Sequence, residues 1–174
     1  METVRETPTG PPGSSRRQVH HPHRWSRQAL LQFTAIDDCT RIRVLRIYPR
    51  CNQNTAIQFL DYLLGKLPFR VEKIQTDNGA EFATQFHYHV LDRGISHVYI
   101  KPATPRLNGK VERSHRIDAE EFYRMLDGVV IDDTQLFNQK LQEWEDFYNY
   151  NRPHGGLGGQ TPYERLKQKT TSPV

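Results

Sequence analysis

Cysteine is scarce in this chain: two in 174 residues, Cys39 and Cys51, twelve positions apart. That number and spacing exclude a disulfide framework and a paired-cysteine zinc knuckle, and the two are read as free thiols in a reducing compartment. Long apolar runs are absent as well. Nothing approaches the roughly 18 consecutive apolar residues of a membrane span, and Met1 is followed by Glu, Arg, Pro and Gly rather than by the apolar stretch of a secretory signal. A soluble, cytoplasmic protein with no membrane partner is expected. There are no internal repeats, and a net charge of +4 does not by itself imply nucleic acid. What is present, 36% apolar and 25% charged residues, supports one buried core rather than two.

Residues 1–27 hold three Pro in the first thirteen positions, five Arg, and His20, His21 and His23, with almost nothing apolar to bury. They are expected to form a disordered basic, His-containing arm. From Gln28 the character changes. Ala29 to Ile36 and Arg41 to Tyr48 read as two antiparallel strands joined at Asp37-Asp38-Cys39-Thr40. Asn52 caps a helix with Ala56, Ile57, Leu60, Leu63 and Leu64 on one face, ending near Gly65. Val71 to Thr76 is a short strand. Phe82, Phe86 and Val90, four apart, predict a helix stopped by Gly94, and Ile95 to Ile100 another strand. Helices follow from about Lys110 to Leu126 and after Asp132-Asp133-Thr134. The pattern is α/β, with crossovers that call for a mixed sheet flanked by helices. The core domain is set at 28–166, with a flexible tail at 167–174.

The sharpest local feature is Thr76-Asp77-Asn78-Gly79-Ala80-Glu81-Phe82, an acid at the carboxyl end of a short strand, where ligands collect in open α/β sheets. Asp-Asn-Gly is equally good chemistry for a plain turn. Downstream, Pro105-Arg106-Leu107-Asn108-Gly109-Lys110-Val111-Glu112-Arg113 places one carboxylate early in a helix among cations. Lys101 to Arg116 holds five bases and one acid, whereas Ile117 to Phe147 holds nine acids and two bases. A lone Glu among Arg residues is commonly a surface ion pair of little worth. It is also what a phosphodiester-processing site needs, cations to hold the backbone and a carboxylate to hold a divalent metal.

These segments, together with Tyr150-Asn151-Arg152-Pro153-His154 and Thr161-Pro162-Tyr163-Glu164-Arg165-Leu166, resemble in order the signatures of the retroviral-integrase-like transposases of bacterial insertion sequences, over about residues 24–166. Asp77 and Glu112 are separated by 34 residues, a spacing one short of the usual retroviral one. The resemblance implies a ribonuclease H-like integrase core and DNA integration or transposition by metal-dependent phosphoryl transfer. It implies two Mg²⁺ or Mn²⁺ ions on a triad of two Asp and one Glu, and DNA as partner, both element ends and target. A homo-oligomer is expected if the protein is functional.

Asp77 and Glu112 match the second and third metal carboxylates, and their carboxyl groups are expected to converge. Lys101, Arg106, Asn108, Lys110, Arg113 and Arg116 are expected to contact DNA. Ala119 stands where many relatives carry a DNA-contacting Lys or Arg, and Arg116 is the substitute on the same helical face as Glu112. The first carboxylate has no counterpart. Upstream acids are Glu2 and Glu6 only, in a stretch with no strand character, so the chain is expected to be truncated at its amino end and to lack the first central strand. Asp37 and Asp38 fall in the turn after the second strand and are read as hairpin residues. The histidines at 87 and 89 are read as helix surface. The alternative function is that of a catalytically inactive transposase remnant that only binds DNA or associates with intact copies.

Overall fold

A computed structural model describes residues 30–100, 112–126 and 133–171, and the backbone of 3–9. Five strands, β1 (Thr3–Thr9), β2 (Leu31–Asp37), β3 (Arg43–Tyr48), β4 (Lys73–Thr76) and β5 (Ser96–Tyr99), form one mixed sheet in the order β3-β2-β1-β4-β5. β2 is antiparallel to β1 and β3, whereas β1, β4 and β5 run parallel.

The central strand is therefore present, against the expectation from sequence. Residues 3–9 fill that place, pairing with β2 through Val4↔Asp37 to Thr9↔Gln32 and with β4 through Thr3↔Lys73 to Glu6↔Thr76. Thr3, Val4, Thr7 and Thr9 are β-branched, and such residues gain most of their strand preference from flanking strands, which a local reading does not see. Pro8 is tolerated because β1 runs past β4 there and has a neighbour on one side only. The remainder of the expected arm, residues 10–27, lies outside the described residues.

Side chains alternate between two faces of the sheet. Phe33, Ala35, Val44 and Ile74 pack on one face against Ala56, Phe59, Leu60 and Leu63 of α1 (Gln53–Lys66) and Phe86 and Val90 of α2 (Thr84–Asp92). Leu45 and Ile47 pack on the other against Phe122, Tyr123, Phe137, Leu141, Trp144 and Tyr148. Truncating a fully buried ring such as Phe59 or Phe137 costs about 3 to 5 kcal/mol.

Asn52 caps α1 as expected, in a reciprocal box with Thr55. The single helix predicted over Phe82 to Val90 is divided, with a 3-10 turn at Ala80–Phe82 and extended backbone at Ala83 before α2. Gly94 ends that stretch at φ +71°. Helix α3 is α-helical over residues 112–117, widens to a π turn at Asp118–Phe122 and tightens to 3-10 geometry at Tyr123–Leu126. Asp133 caps α4 (Thr134–Asp146), which continues as a π turn through Phe147–Asn151.

Residues expected to form a flexible tail are instead the end of α5 (Pro162–Thr171) as far as Thr171. Its start is fixed by a second capping box, with Thr161 N–H donating to Glu164 Oε2 at 2.8 Å and Glu164 N–H to Thr161 Oγ1 at 3.2 Å. Burial of Pro162 and Leu166 docks it.

Candidate active site

Asp77 follows the last residue of β4. Its Oδ1 accepts the Gly79 N–H at 3.0 Å, which closes a side-chain turn and sends the chain away from the sheet. On one side Thr76 is buried, with its Oγ1 2.9 Å from His97 Nε2 and its carbonyl accepting the Ile100 N–H at 2.8 Å. On the other, Glu81 folds back over the turn so closely that a Cβ on Gly79 would collide with its Oε1. Burial first, then the neighbouring Asp77 charge, raises the Glu81 carboxyl above its ordinary range, against the opposing effects of its backbone hydrogen bond and Cys51. The Cys51 thiol is pushed up to about 12 by desolvation and by the Glu81 and Asp77 carboxylates. Nothing in the sequence tied Cys51 to Asp77 and Glu81, because it meets them only through the fold.

Glu112 lies in the first described turn of α3 and is exposed, as are Arg113 and Arg116. Glu112 and Arg116, four apart, share one side of the helix. Ser114 and Asp118, also four apart, form its buried side, each about 1% exposed. Lys101, Arg106, Asn108 and Lys110, expected to complete the DNA surface, lie outside the described residues, as do His20, His21 and His23.

Asp37 is a turn residue in the structure. Its Oδ2 accepts Cys39 N–H at 3.2 Å, Thr40 N–H at 2.6 Å and Thr40 Oγ1 at 2.7 Å. It pairs with Val4, near the beginning of β1, whereas Asp77 follows the Glu6↔Thr76 pair. With two strand spacings of about 4.8 Å and three residues of about 3.3 Å between them, Asp37 and Asp77 occupy opposite ends of the sheet.

Glu6 is the one acid in β1. The register pairs it with Ala35 on β2 and Thr76 on β4, one residue before Asp77. Among the described residues no group of three or more His, Cys, Asp or Glu is arranged to hold a metal ion.

The histidines read as helix surface are more engaged than that. His87 Nδ1 lies 2.9 Å from His97 Nδ1 with its ring stacked on Tyr99, and His89 pairs with Asp61 at 3.0 Å.

A mixed sheet of this order, with a carboxylate leaving the end of β4 and a helix across the far face carrying another, has the architecture of a ribonuclease H-like integrase core. Comparison with known proteins agrees. Residues 93–162 match the family described as Integrase core domain. The fold superposes on the catalytic core domain of BIV integrase with a TM-score of 0.70 at 19% identity, covering 97% of this chain and 96% of that one. It also superposes on a chain of the simian T-cell lymphotropic virus intasome in complex with PP2A regulatory subunit B56 gamma, with a TM-score of 0.79 at 17% identity, covering 99% of this chain and 56% of that one.

In sequence the chain is 28% identical to the ORF3 protein of Spiroplasma virus SpV1-C74, described as an integrase, over 75% of this chain and 40% of that protein. It is 38% identical to the retrovirus-related Pol polyprotein from transposon RE1 of Arabidopsis thaliana, over 37% of this chain and 4% of that one. The chain thus spans less than half the length of these curated relatives. It is integrase-like in fold, and integrase-core-like in sequence over residues 93–162. No helix among the described residues is long and apolar enough to cross a membrane.

Proposed function

We propose that the chain acts on DNA in the cytoplasm, in integration or transposition, by metal-dependent phosphoryl transfer at Asp77 and Glu112. One observation carries the reading: in an integrase-core fold, Asp77 leaves the carboxyl end of β4 and Glu112 opens the described part of α3. These are the two positions that the motif resemblance gives to metal carboxylates. Both donors are hard oxygen ligands, which suit Mg²⁺ or Mn²⁺. When bound, such an ion polarises a phosphoryl oxygen and lowers the pKa of an attacking water or 3′-hydroxyl. Two carboxylates suit a shared ion and fall short of the full set for two.

The chain's own contribution is to orient and attract. The Gly79 N–H donates to Asp77 Oδ1 and ties the carboxylate to the turn, and Arg113 and Arg116 set cations beside Glu112, where phosphates would approach. We assign Lys101, Arg106, Asn108 and Lys110 to the same DNA path. A homo-oligomer is the working form in this reading, in keeping with the intasome in which one structural neighbour occurs.

A second reading, an inactive remnant that binds DNA or joins intact copies, is favoured by the register of β1. That strand is in place, yet it has no Asp.

Nicking and strand joining in Mn²⁺ or Mg²⁺ on DNA carrying the element ends test the two. Activity lost in both Asp77→Asn and Glu112→Gln supports the enzyme, and activity untouched by either variant removes it. Salt-sensitive DNA binding without any cleavage supports the remnant.

A further inference from the structure

Arg43 is an arginine in an apolar strand, flanked by Ile42, Val44 and Leu45, and it is wholly buried. Its guanidinium reaches α3. Nη1 donates to Ser114 Oγ at 2.7 Å and to the Ser114 carbonyl at 3.3 Å, and it pairs with Asp118 Oδ1 at 2.8 Å. The Tyr148 ring covers the guanidinium, 3.6 Å from its carbon to the ring centroid. Asp118 is held from two further elements, by Trp144 Nε1 on Oδ1 at 2.7 Å and by Gln32 Nε2 on Oδ2 at 2.9 Å. The Tyr123 hydroxyl donates to Gln32 Oε1 and completes the network. β2, β3 and α4 therefore grip α3 at one residue, where its α-helical geometry gives way to the π turn.

Stability does not explain this arrangement. Removing a charge pair from water costs several kcal/mol per ion, and well-packed apolar side chains of similar volume commonly serve as well or better. Arg43 Nε and Nη2 are buried with no acceptor among the described residues, which adds to the cost. What the pair supplies that leucines would not is direction. Apolar packing lets a helix slide or roll by fractions of a turn, whereas fixed hydrogen bonds at Ser114 and Asp118 set both its rotation and its axial position. Glu112 lies two residues from Ser114, about 3 Å along the axis, on the opposite side of the helix. Little slack remains between the grip and the carboxylate.

We propose that the buried Arg43–Asp118 pair is a positioning device for Glu112, fixing the first turns of α3 on the sheet so that this carboxylate is held at one place relative to the end of β4. The inference rests on the reading of Glu112 as a metal carboxylate. Arg43 and Asp118 are positioning residues and touch neither metal nor DNA.

The test uses the full chain with Arg43→Met and Asp118→Leu combined, which removes both charges at similar volume, and with Arg43→Lys, which keeps charge but loses the planar fork. Three quantities are read: the thermal transition, hydrogen exchange of residues 113–117, and Mn²⁺ affinity by electron paramagnetic resonance without DNA. The double variant is expected to keep a cooperative transition, at a lower temperature than the parent because Trp144 Nε1 and Gln32 Nε2 lose their acceptor. Its amides at 113–117 should exchange about tenfold faster or more while those of β2 and β3 do not change. Mn²⁺ affinity should fall about 10- to 100-fold, the usual effect of losing a residue that orients a metal ligand, and Arg43→Lys should lie between. Unchanged exchange at 113–117 overturns the proposal whatever the metal result. So does accelerated exchange with Mn²⁺ affinity fully retained. Accelerated exchange in a protein whose parent binds no Mn²⁺ supports the grip on α3 and overturns the metal reading of Glu112 instead.

Discussion

The side-chain amide of Asn149 and the main chain of Arg43 exchange two hydrogen bonds, Arg43 N–H donating to Asn149 Oδ1 at 2.9 Å and Asn149 Nδ2 to the Arg43 carbonyl at 2.7 Å. The same pattern recurs two turns of the pleat away. Ile47 N–H donates to Asn138 Oδ1 at 2.8 Å and Asn138 Nδ2 to the Ile47 carbonyl at 3.0 Å, and Leu45 N–H between them donates to Glu145 Oε2 at 2.6 Å. β3 is an edge strand, and α4 with its π extension closes that edge with side chains where another strand would otherwise pair.

Asn149→Ala and Asn138→Ala should therefore each cost about 1 to 3 kcal/mol, because each leaves a strand N–H and carbonyl unpaired. Urea unfolding gives the cost directly. The double variant should also self-associate in a concentration-dependent way by sedimentation, and a double variant as stable and monomeric as the parent would refute the edge-closing role.

Cys51 should react unusually slowly with thiol reagents at pH 8, given a pKa pushed up to about 12. Burial is the first cause, and Glu81→Gln removes one of the two carboxylates that add to it. Gly79→Ala evicts the Glu81 carboxylate sterically, at little cost in stability because only the end of a flexible side chain must move. Both should speed the reaction by about tenfold for each unit of pKa recovered. A rate at Cys51 equal to that of an unhindered thiol in the parent protein would show that the cluster does not form.

Acid should destabilise the fold before carboxylates begin to titrate. His97, His115 and His154 are each lowered from 6.5 to about 4, in each case first by burial. Next come His87 beside His97 and Arg152 beside His154, whereas Asp118 opposes the shift at His115 and Arg43 adds to it. A depressed histidine pKa means that the unfolded chain binds more protons between about pH 6.5 and 4, so stability falls as pH falls through that window. Glu145, raised chiefly by burial, works in the opposite sense at its lower end. The urea midpoint should drop between pH 7 and 5, and His115→Gln should flatten the drop. A midpoint constant across that range would contradict these environments.

Position 7 tests the metal reading of Asp77 and Glu112 by addition of a carboxylate. It follows the Glu6↔Thr76 pair just as Asp77 does, and it pairs with Thr34 of β2. Thr7→Asp should raise Mn²⁺ affinity roughly tenfold or more if Asp77 and Glu112 share an ion, and Glu6→Gln should leave it unchanged. The reverse result would bring Glu6 into the site in place of position 7.

Most elements could be read from residue order, because their signals are local. The Asn52 and Asp133 caps, the Gly94 stop and the four-residue spacing of Phe86 and Val90 act within one turn of chain. β1 was hidden because its stabilising partners begin at Gln32 and Lys73. The helix at Pro162–Thr171 was hidden by its polarity, although Thr161 and Glu164 three residues apart were a legible capping signal. Of the candidate site, Asp77 and Glu112 stand out by motif. Arg43 and Asp118 do not, since a buried ion pair is written as two isolated charges 75 positions apart in segments that otherwise read as apolar strand and acidic helix.

The placement of β1 at the centre of the sheet bears on how the protein is made. Thr3 pairs with Lys73, so the strand on which the sheet is built leaves the ribosome about 70 residues ahead of one of its two partners. At about 5 to 20 residues per second that is roughly 4 to 14 s of synthesis during which the nascent chain carries its central strand unpaired on that side. Folding that must wait for such distant pairing is slow. The birth of this protein, more than its finished state, is where chaperones would find it.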